Sequence, residues 1–344
     1  RETVASLCAS LQAGGFAKAV VLPNTDPVIQ SKTEVTFLKS KVEAFHQELV
    51  ILGAVTKNAQ GEDLTEMLDM HFQAGIQYFG DGTQPLANAD RYLKILQYLQ
   101  KFEGTLFDQA YDPLLAIFGQ MHEGEISTQL GMKGIPNLAE EVAIQRNLDL
   151  LRYAGGRVHF QTLSTAKGVD LIRQAKKEGL KVTADVSIYQ LIFTDGDLLS
   201  FDTNLKVQPP FRGAKDRSAL MDGLLDGTLD ALVSNHQPQD YDSKFCEFDH
   251  AAFGTIGLET LFLACYQEAI HRKISFIDKL LSSNPANLVG LNMPALGKGS
   301  KAKGILFQKV PAYTYAVDHI VGKSKNSAFL GYTFSHKILM VLNQ

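Results

Sequence analysis

Apolar residues along this chain fall into two alternating rhythms. Short runs rich in branched and aromatic residues, AKAVVLPN, ELVILGAVT, IQYFGD, GTLFDQ, RVHFQTLS, KVTADVS and DALVSN, read as strands. Between them lie KTEVTFLKSKVEAFHQ, DLTEMLDMHFQAG, ADRYLKILQYLQKF, AEEVAIQRNLDLLRYAGG, AKGVDLIRQAKKEG and KDRSALMDGLLDG, whose apolar positions recur at helical intervals and most of which end on Gly. Strand and helix in regular succession predict a parallel α/β sheet of about seven βα units. The opening stretch RETVASLCASLQAGG has helical spacing at Val4, Leu7, Cys8 and Leu11 and leads into a strand. An eighth strand upstream of Arg1 is therefore expected, which would complete a (β/α)₈ TIM-type barrel. An open doubly wound sheet is the competing reading, but no GxGxxG loop follows any strand. Beyond residue 290 the pattern changes: GKGSKAKGILFQ and HKILMVLNQ read as antiparallel strands. The expected organisation is a barrel over residues 1–290, with 291–344 forming part of a small β-sandwich appendage made from the chain ends.

Composition adds exclusions. With 344 residues, 45% of them hydrophobic, the chain can bury a large core. The net charge is −4 and the 33 basic residues form no run, so nucleic acid is not an expected partner. Cys8, Cys246 and Cys265 are widely separated, which reads as reduced thiols in a cytoplasmic protein. No apolar run is long enough to span a bilayer and no signal peptide is visible.

In a barrel the chemistry sits just beyond the C-terminal ends of the strands. A hydrolytic metal centre needs His and carboxylate there, because imidazole and carboxylate bind Zn²⁺ and the metal lowers the pKa of its bound water. Only Asp81 and His236 qualify. The stretch LVSNHQPQD, residues 232–240, ends an apolar run on Asn235 and His236 and offers no acid before Asp240. His46, His71, His250, His271, His319 and His336 read as surface or capping groups. His159 is expected to face the helix layer or a loop network, and His122 to be structural.

Taken in order, AGGFAKAVVLPNTDPV, GDG, EGEISTQLGMKGIP, STAKGVDLIRQAKKEGL, FDTNLKVQPPFR, DGTLDALVSNHQP, FGTIGLET, NPANLVGL and GKSKNSAFLGYT resemble the dihydroorotases of the barrel-type amidohydrolase superfamily over nearly the whole chain. The resemblance implies a zinc enzyme of pyrimidine synthesis that interconverts carbamoyl aspartate and dihydroorotate. It also implies an HxH pair and an Arg on a first strand that would precede Arg1. Thr162 stands where the family has the metal-binding His of its HVST motif. Tyr189 stands at its next metal His, with Gln190 beside it, and Asn235 at the Asp that is both metal ligand and general base. Gln239 matches the second His of that last motif, Gln109 a further His, and Gln208 a substrate-binding Asn. Asp81 matches a carboxylate that can bridge two metals, and Asn24 a contact to the substrate carboxylate. Arg212, Pro209, Pro210, His236 and Glu259 are kept.

A neutral amide at 235 cannot take a proton from metal-bound water, and loss of a positioned acid or base costs roughly 10²–10⁴-fold. Hydroxyls at 162 and 189 are poor zinc ligands. The expectation is a catalytically degenerate homologue with no intact catalytic residue, whose substituted residues fill the barrel mouth with neutral hydrogen-bonded side chains. It would form a homodimer and serve as a structural partner, with aspartate carbamoyltransferase as the candidate. The alternative is an active hydrolase on dihydroorotate or another cyclic amide, using a reduced metal site that relies on Asp81, His236 and an upstream first strand whose HxH would hold zinc.

Overall fold

The structure is a computed structural model that describes residues 2–272, 277–291, 298 and 303–343. The strands of the main sheet are β1 (Lys18–Val21), β2 (Glu48–Ile51), β3 (Tyr78–Phe79), β4 (Thr105–Asp108), then, after a short parallel pair β5 (Met121–His122) and β6 (Gly134–Ile135), β7 (Val158–Phe160), β8 (Val182–Ser187) and β9 (Ala231–Val233). Each of the seven runs read as strands contains one of these seven. β1 pairs with β2, and β3, β4, β7, β8 and β9 follow in that order, all parallel. A bridge between Gly53 and Phe79 joins the two groups. Consecutive parallel strands with a helix after most of them are a (β/α) barrel wall, and the described residues supply seven of its strands.

The helices cover the outside. They are α1 (Val4–Gly14), α2 (Lys32–Val42), α3 (Met67–Ala74), α4 (Ala89–Gln100), the short α5 (Glu125–Gln129), α6 (Asn137–Ala154), α7 (Ala166–Lys177), the single turn α8 (Tyr189–Ile192), α9 (Ala214–Leu225), α10 (Leu258–Arg272) and α11 (Asn284–Leu288). Their starts follow from local chemistry: Thr165 caps α7 by accepting the Gly168 N–H, and Asn88 caps α4 by accepting those of Asp90 and Arg91. The alternation of each strand splits its apolar residues between two cores. Ile51, Leu106, Val158 and Phe160 pack outward against the helices, whereas Leu52 and Phe107 pack inside the barrel with Val289, Leu22, Val50 and Tyr78.

The appendage expected over 291–344 divides in the structure. Much of GKGSKAKG lies outside the described residues. Beyond it, β10 (Lys303–Thr314) and β11 (Thr333–Asn343) form a two-stranded antiparallel ribbon, so among the described residues the appendage is one small sheet and no sandwich is formed. The intervening 315–332, including most of GKSKNSAFLGYT, returns to the barrel. Phe329 and Tyr315 are buried there, and the Asn326 amide donates to the carbonyls of Gln237 and Gly254. Glu259 of α10 fixes this return by accepting from Ser10 Oγ and from the N–H groups of Val321 and Gly322. The burial of Tyr315, Ile320, Ala328 and Phe329 and the bonds to Glu259 hold this segment on the barrel.

Candidate functional site

The principal cavity, about 1950 Å³, opens along the barrel axis and between β9 and β1, whose residues Val20, Val21, Leu22, Ala231, Leu232 and Val233 line it. At the C-terminal ends of the strands its wall changes from apolar to polar, with Asn24, Gln161, Thr162, Gln208, Asn235, His236, Gln237 and Gln239. Deeper lie Phe107, His159 and Asp185.

His159 corrects the sequence reading. Val158 and Phe160 face the helices, so the strand period turns His159 into the barrel, not toward the helix layer. Its Nε2 lies 2.8 Å from Asp185 Oδ2 on the next strand and its Nδ1 2.9 Å from Thr183 Oγ1. The other oxygen of Asp185 accepts the Thr162 N–H at 2.7 Å. The pair is buried, and the ring stacks obliquely on Phe107 with centroids 4.6 Å apart. Sequence reasoning passed over Asp185. The signal was present: RVHFQTLS and KVTADVS are adjacent parallel strands, and both place a polar residue on the inward parity.

Thr162 holds φ of +48° and Asn235 φ of +40°, a region that non-glycine residues seldom occupy and β-branched ones avoid. Both are over-determined by hydrogen bonds. Thr162 Oγ1 donates to Gln109 Oε1 at 2.9 Å. The Asn235 amide donates to the Gln208 carbonyl, and its oxygen accepts from Gln237 Nε2 at 2.7 Å. Gln239 Nε2 donates to the Phe253 carbonyl, and its N–H to Asn326 Oδ1. Thr162, Gln109, Asn235 and Gln239 are thus hydrogen-bonded neutral groups, in separate pairs with side chains and with main chain, and they do not fill the mouth as one cluster.

Tyr189 and Asp81 depart further from expectation. Tyr189 is fully buried, donates its hydroxyl to the Ser234 carbonyl and packs on Gly257 and Phe329 away from the cavity. Burial drives its phenol pKa up, so it stays protonated. Asp81 does not face the cavity either. Its Oδ1 accepts the N–H groups of Val55 and Thr56 at 3.1 and 3.0 Å, and its Oδ2 accepts the Thr56 hydroxyl. Burial raises its pKa against these bonds, and a carboxylate so occupied braces a turn. Beside it Gly82, at φ +67°, leaves room for Asn24, whose amide donates to Thr83 Oγ1.

His236 keeps its place at the end of β9. Its Nδ1 accepts the N–H groups of Gly257 and Leu258 at 3.2 and 3.4 Å, so the ring proton sits on Nε2. Burial pushes its pKa down to about 4, leaving it neutral. Nε2 is buried without a partner. Arg212 is engaged: it donates to Ser164 Oγ and the Ile135 carbonyl and meets His122 Nδ1 at 3.3 Å.

Zinc needs at least three donors of the His, Cys, Asp or Glu type, and no such group exists among the described residues. Asp185 and His159 are engaged with each other, Asp81 with its turn, and His236 Nδ1 with main chain. The residues present do not fit the metal.

Comparison with known proteins places this geometry. A family model described as dihydro-orotase-like matches residues 1–168. The chain is 35% identical over 350 residues to a dihydroorotase of Carboxydothermus hydrogenoformans, covering 100% of this chain and 81% of that protein. It is 36% identical to one of Ruminiclostridium cellulolyticum, covering 96% and 78%. Among solved structures, an L-hydantoinase (dihydropyrimidinase) from Arthrobacter aurescens superposes with a TM-score of 0.84 at 21% identity, over 97% of this chain and 78% of that one. A dihydroorotase from Saccharomyces cerevisiae in complex with 5-fluoroorotic acid does so with a TM-score of 0.74 at 14% identity, over 97% and 93%. The structural likenesses establish the barrel fold, and the sequence identities over nearly the full chain establish that it belongs to the dihydroorotase family.

Proposed function

We propose that this barrel is a non-catalytic member of the dihydroorotase family. The observation that carries the reading is the state of the strand ends: Thr162, Tyr189 and Asn235 are neutral, and each is hydrogen-bonded within the protein. With no proton acceptor free at residue 235, water at the mouth has no general base there. A retained fold with a spent site suits a structural role in pyrimidine synthesis. The partner we propose is aspartate carbamoyltransferase, with the chain itself a cytoplasmic homodimer. The test is zinc analysis and turnover on the full chain supplied with zinc. Sub-stoichiometric zinc, no ring opening of dihydroorotate, and co-elution with a transcarbamoylase are expected; turnover at a rate ordinary for the family would sink the reading.

A second reading, a hydrolase working with a reduced metal site, draws on the His159–Asp185 pair, an imidazole and a carboxylate lining the cavity. It requires near-stoichiometric zinc and activity abolished by Asp185→Asn.

A further inference from the structure

Outside the mouth, whose lining ends on Gln239 and resumes at Ala252, two segments, 195–202 and 240–250, carry large apolar side chains in solvent. Leu199 and Phe201 come from the first, Tyr241 and Phe245 from the second. The last two are 68% and 76% exposed, and their rings stack with centroids 4.9 Å apart and planes 21° from parallel. The backbone beneath them is braced. Thr203 Oγ1 donates to the Lys244 carbonyl at 2.6 Å, Lys244 Nζ donates to the Thr203 carbonyl at 2.7 Å, and Lys206 Nζ donates to the carbonyls of Phe248 and Asp249. Phe201 meets the buried Phe248 edge-on, with centroids 6.0 Å apart. Apolar groups held in solvent on a braced surface mark a place where another molecule docks.

Charge decides which molecule. The two segments hold seven acids, of which Asp197, Asp240, Asp242, Glu247 and Asp249 are exposed, against two basic residues, the buried Lys244 and His250. None of the seven takes part in an ion pair among the described residues. Exposed acids elsewhere do: Asp90 pairs with Arg91 and Lys94, Asp149 and Glu178 with Arg152, and Asp226 with Arg173. A face of this sign repels its own copy, an anionic lipid surface and a nucleic acid. Its complement is a cation that also covers aromatic rings. Arginine is that cation, because a guanidinium lies flat on a ring and pairs with a carboxylate through two N–H groups, which an ammonium cannot do. We propose that this face docks an arginine-bearing segment of a partner protein, with guanidinium groups on the Tyr241 and Phe245 rings and ion pairs to Asp240 and Asp242, which flank Tyr241 in the chain. The assignment stands whether or not the barrel turns over.

The test is titration of the full chain into rhodamine-labelled hexa-arginine and hexalysine, equal in charge, followed by fluorescence anisotropy. Hexa-arginine should bind about threefold tighter, and in the Tyr241→Ser/Phe245→Ser double variant that preference should vanish. Asp240→Asn with Asp242→Asn should weaken both peptides alike, by about fivefold at low ionic strength and by less at about 0.15 M salt. Equal affinity for the two peptides, a preference for arginine that survives the double variant, or affinity untouched by the aspartate changes would each overturn the assignment. If the double variant fails to fold, Tyr241→Ser and Phe245→Ser taken singly give the same readout. Sedimentation addresses a second copy: a dimer of the unaltered chain that the double variant dissociates would mean that this face is covered by the protein itself, and would overturn the assignment too.

Discussion

Two polar regions meet at the C-terminal end of the sheet and are built on opposite principles. Beneath the turn from β7 to α7, Glu140 accepts from Ser164 N and Oγ and from Thr165 N and Oγ1, Arg212 donates to that same Ser164 hydroxyl, and Asp216 accepts from Ala166 N and Asn137. This region is charged, buried and closed on itself. A few residues away along the same strand ends, the mouth is neutral and leaves polar atoms unspent. Charge holds the turn from β7 to α7, whereas Thr162, Gln208, Asn235 and Gln239 at the mouth are neutral. Removing one member of a buried charged network strands the rest, so such networks resist change, whereas neutral groups that borrow main-chain partners can be exchanged at small cost.

The contrast predicts graded costs. Glu140→Ala should be the most damaging change, about 3–5 kcal/mol by urea denaturation, because four buried donors from Ser164 and Thr165 lose their acceptor and Arg212 loses a nearby negative charge. A loss below about 1 kcal/mol would break the comparison.

Asp108 sharpens it from the other side, as a buried carboxylate that no cation pairs directly. It accepts from Tyr92 and Asn147 through one oxygen while the other has no partner, and burial pushes its pKa up to about 6. A carboxyl whose folded pKa exceeds its unfolded value of 3.8 costs stability as pH rises through the interval between the two, and the full cost is present above about pH 6. Asp108→Asn should therefore raise stability by about 2 kcal/mol at pH 8 and by progressively less toward pH 4, read as Tm against pH.

Gly82→Ala should cost about 1–2 kcal/mol, since the added Cβ meets the Asn24 side chain at a positive φ. Smallest is Thr162→Gly: relief of strain at φ +48° offsets the lost bond to Gln109 and the added chain entropy, leaving a change within about 1 kcal/mol. A large destabilisation there would mean that the mouth is as tightly constructed as the Glu140 network.

Much of this was legible from the chain. All seven strand runs and the six intervening helices sit where periodicity put them, because each strand buries an outward apolar set against an amphipathic helix and that set recurs in sequence. The strand-end positions of Thr162 and Asn235 were legible for the same reason. Asp81 was not: its neighbours Val55 and Thr56 come from another strand's loop, and only their N–H groups turn a candidate ligand into a brace. His159 was misplaced because its partner Asp185 lies 26 residues away, across the sheet.

By itself, then, the sequence determined the order of elements and which chemical groups stand at the strand ends. The tertiary structure alone decided which of those groups are spent. Hydrogen-bond satisfaction is settled between residues far apart in the chain, and a side chain's type states what it could donate or accept without stating what already occupies it.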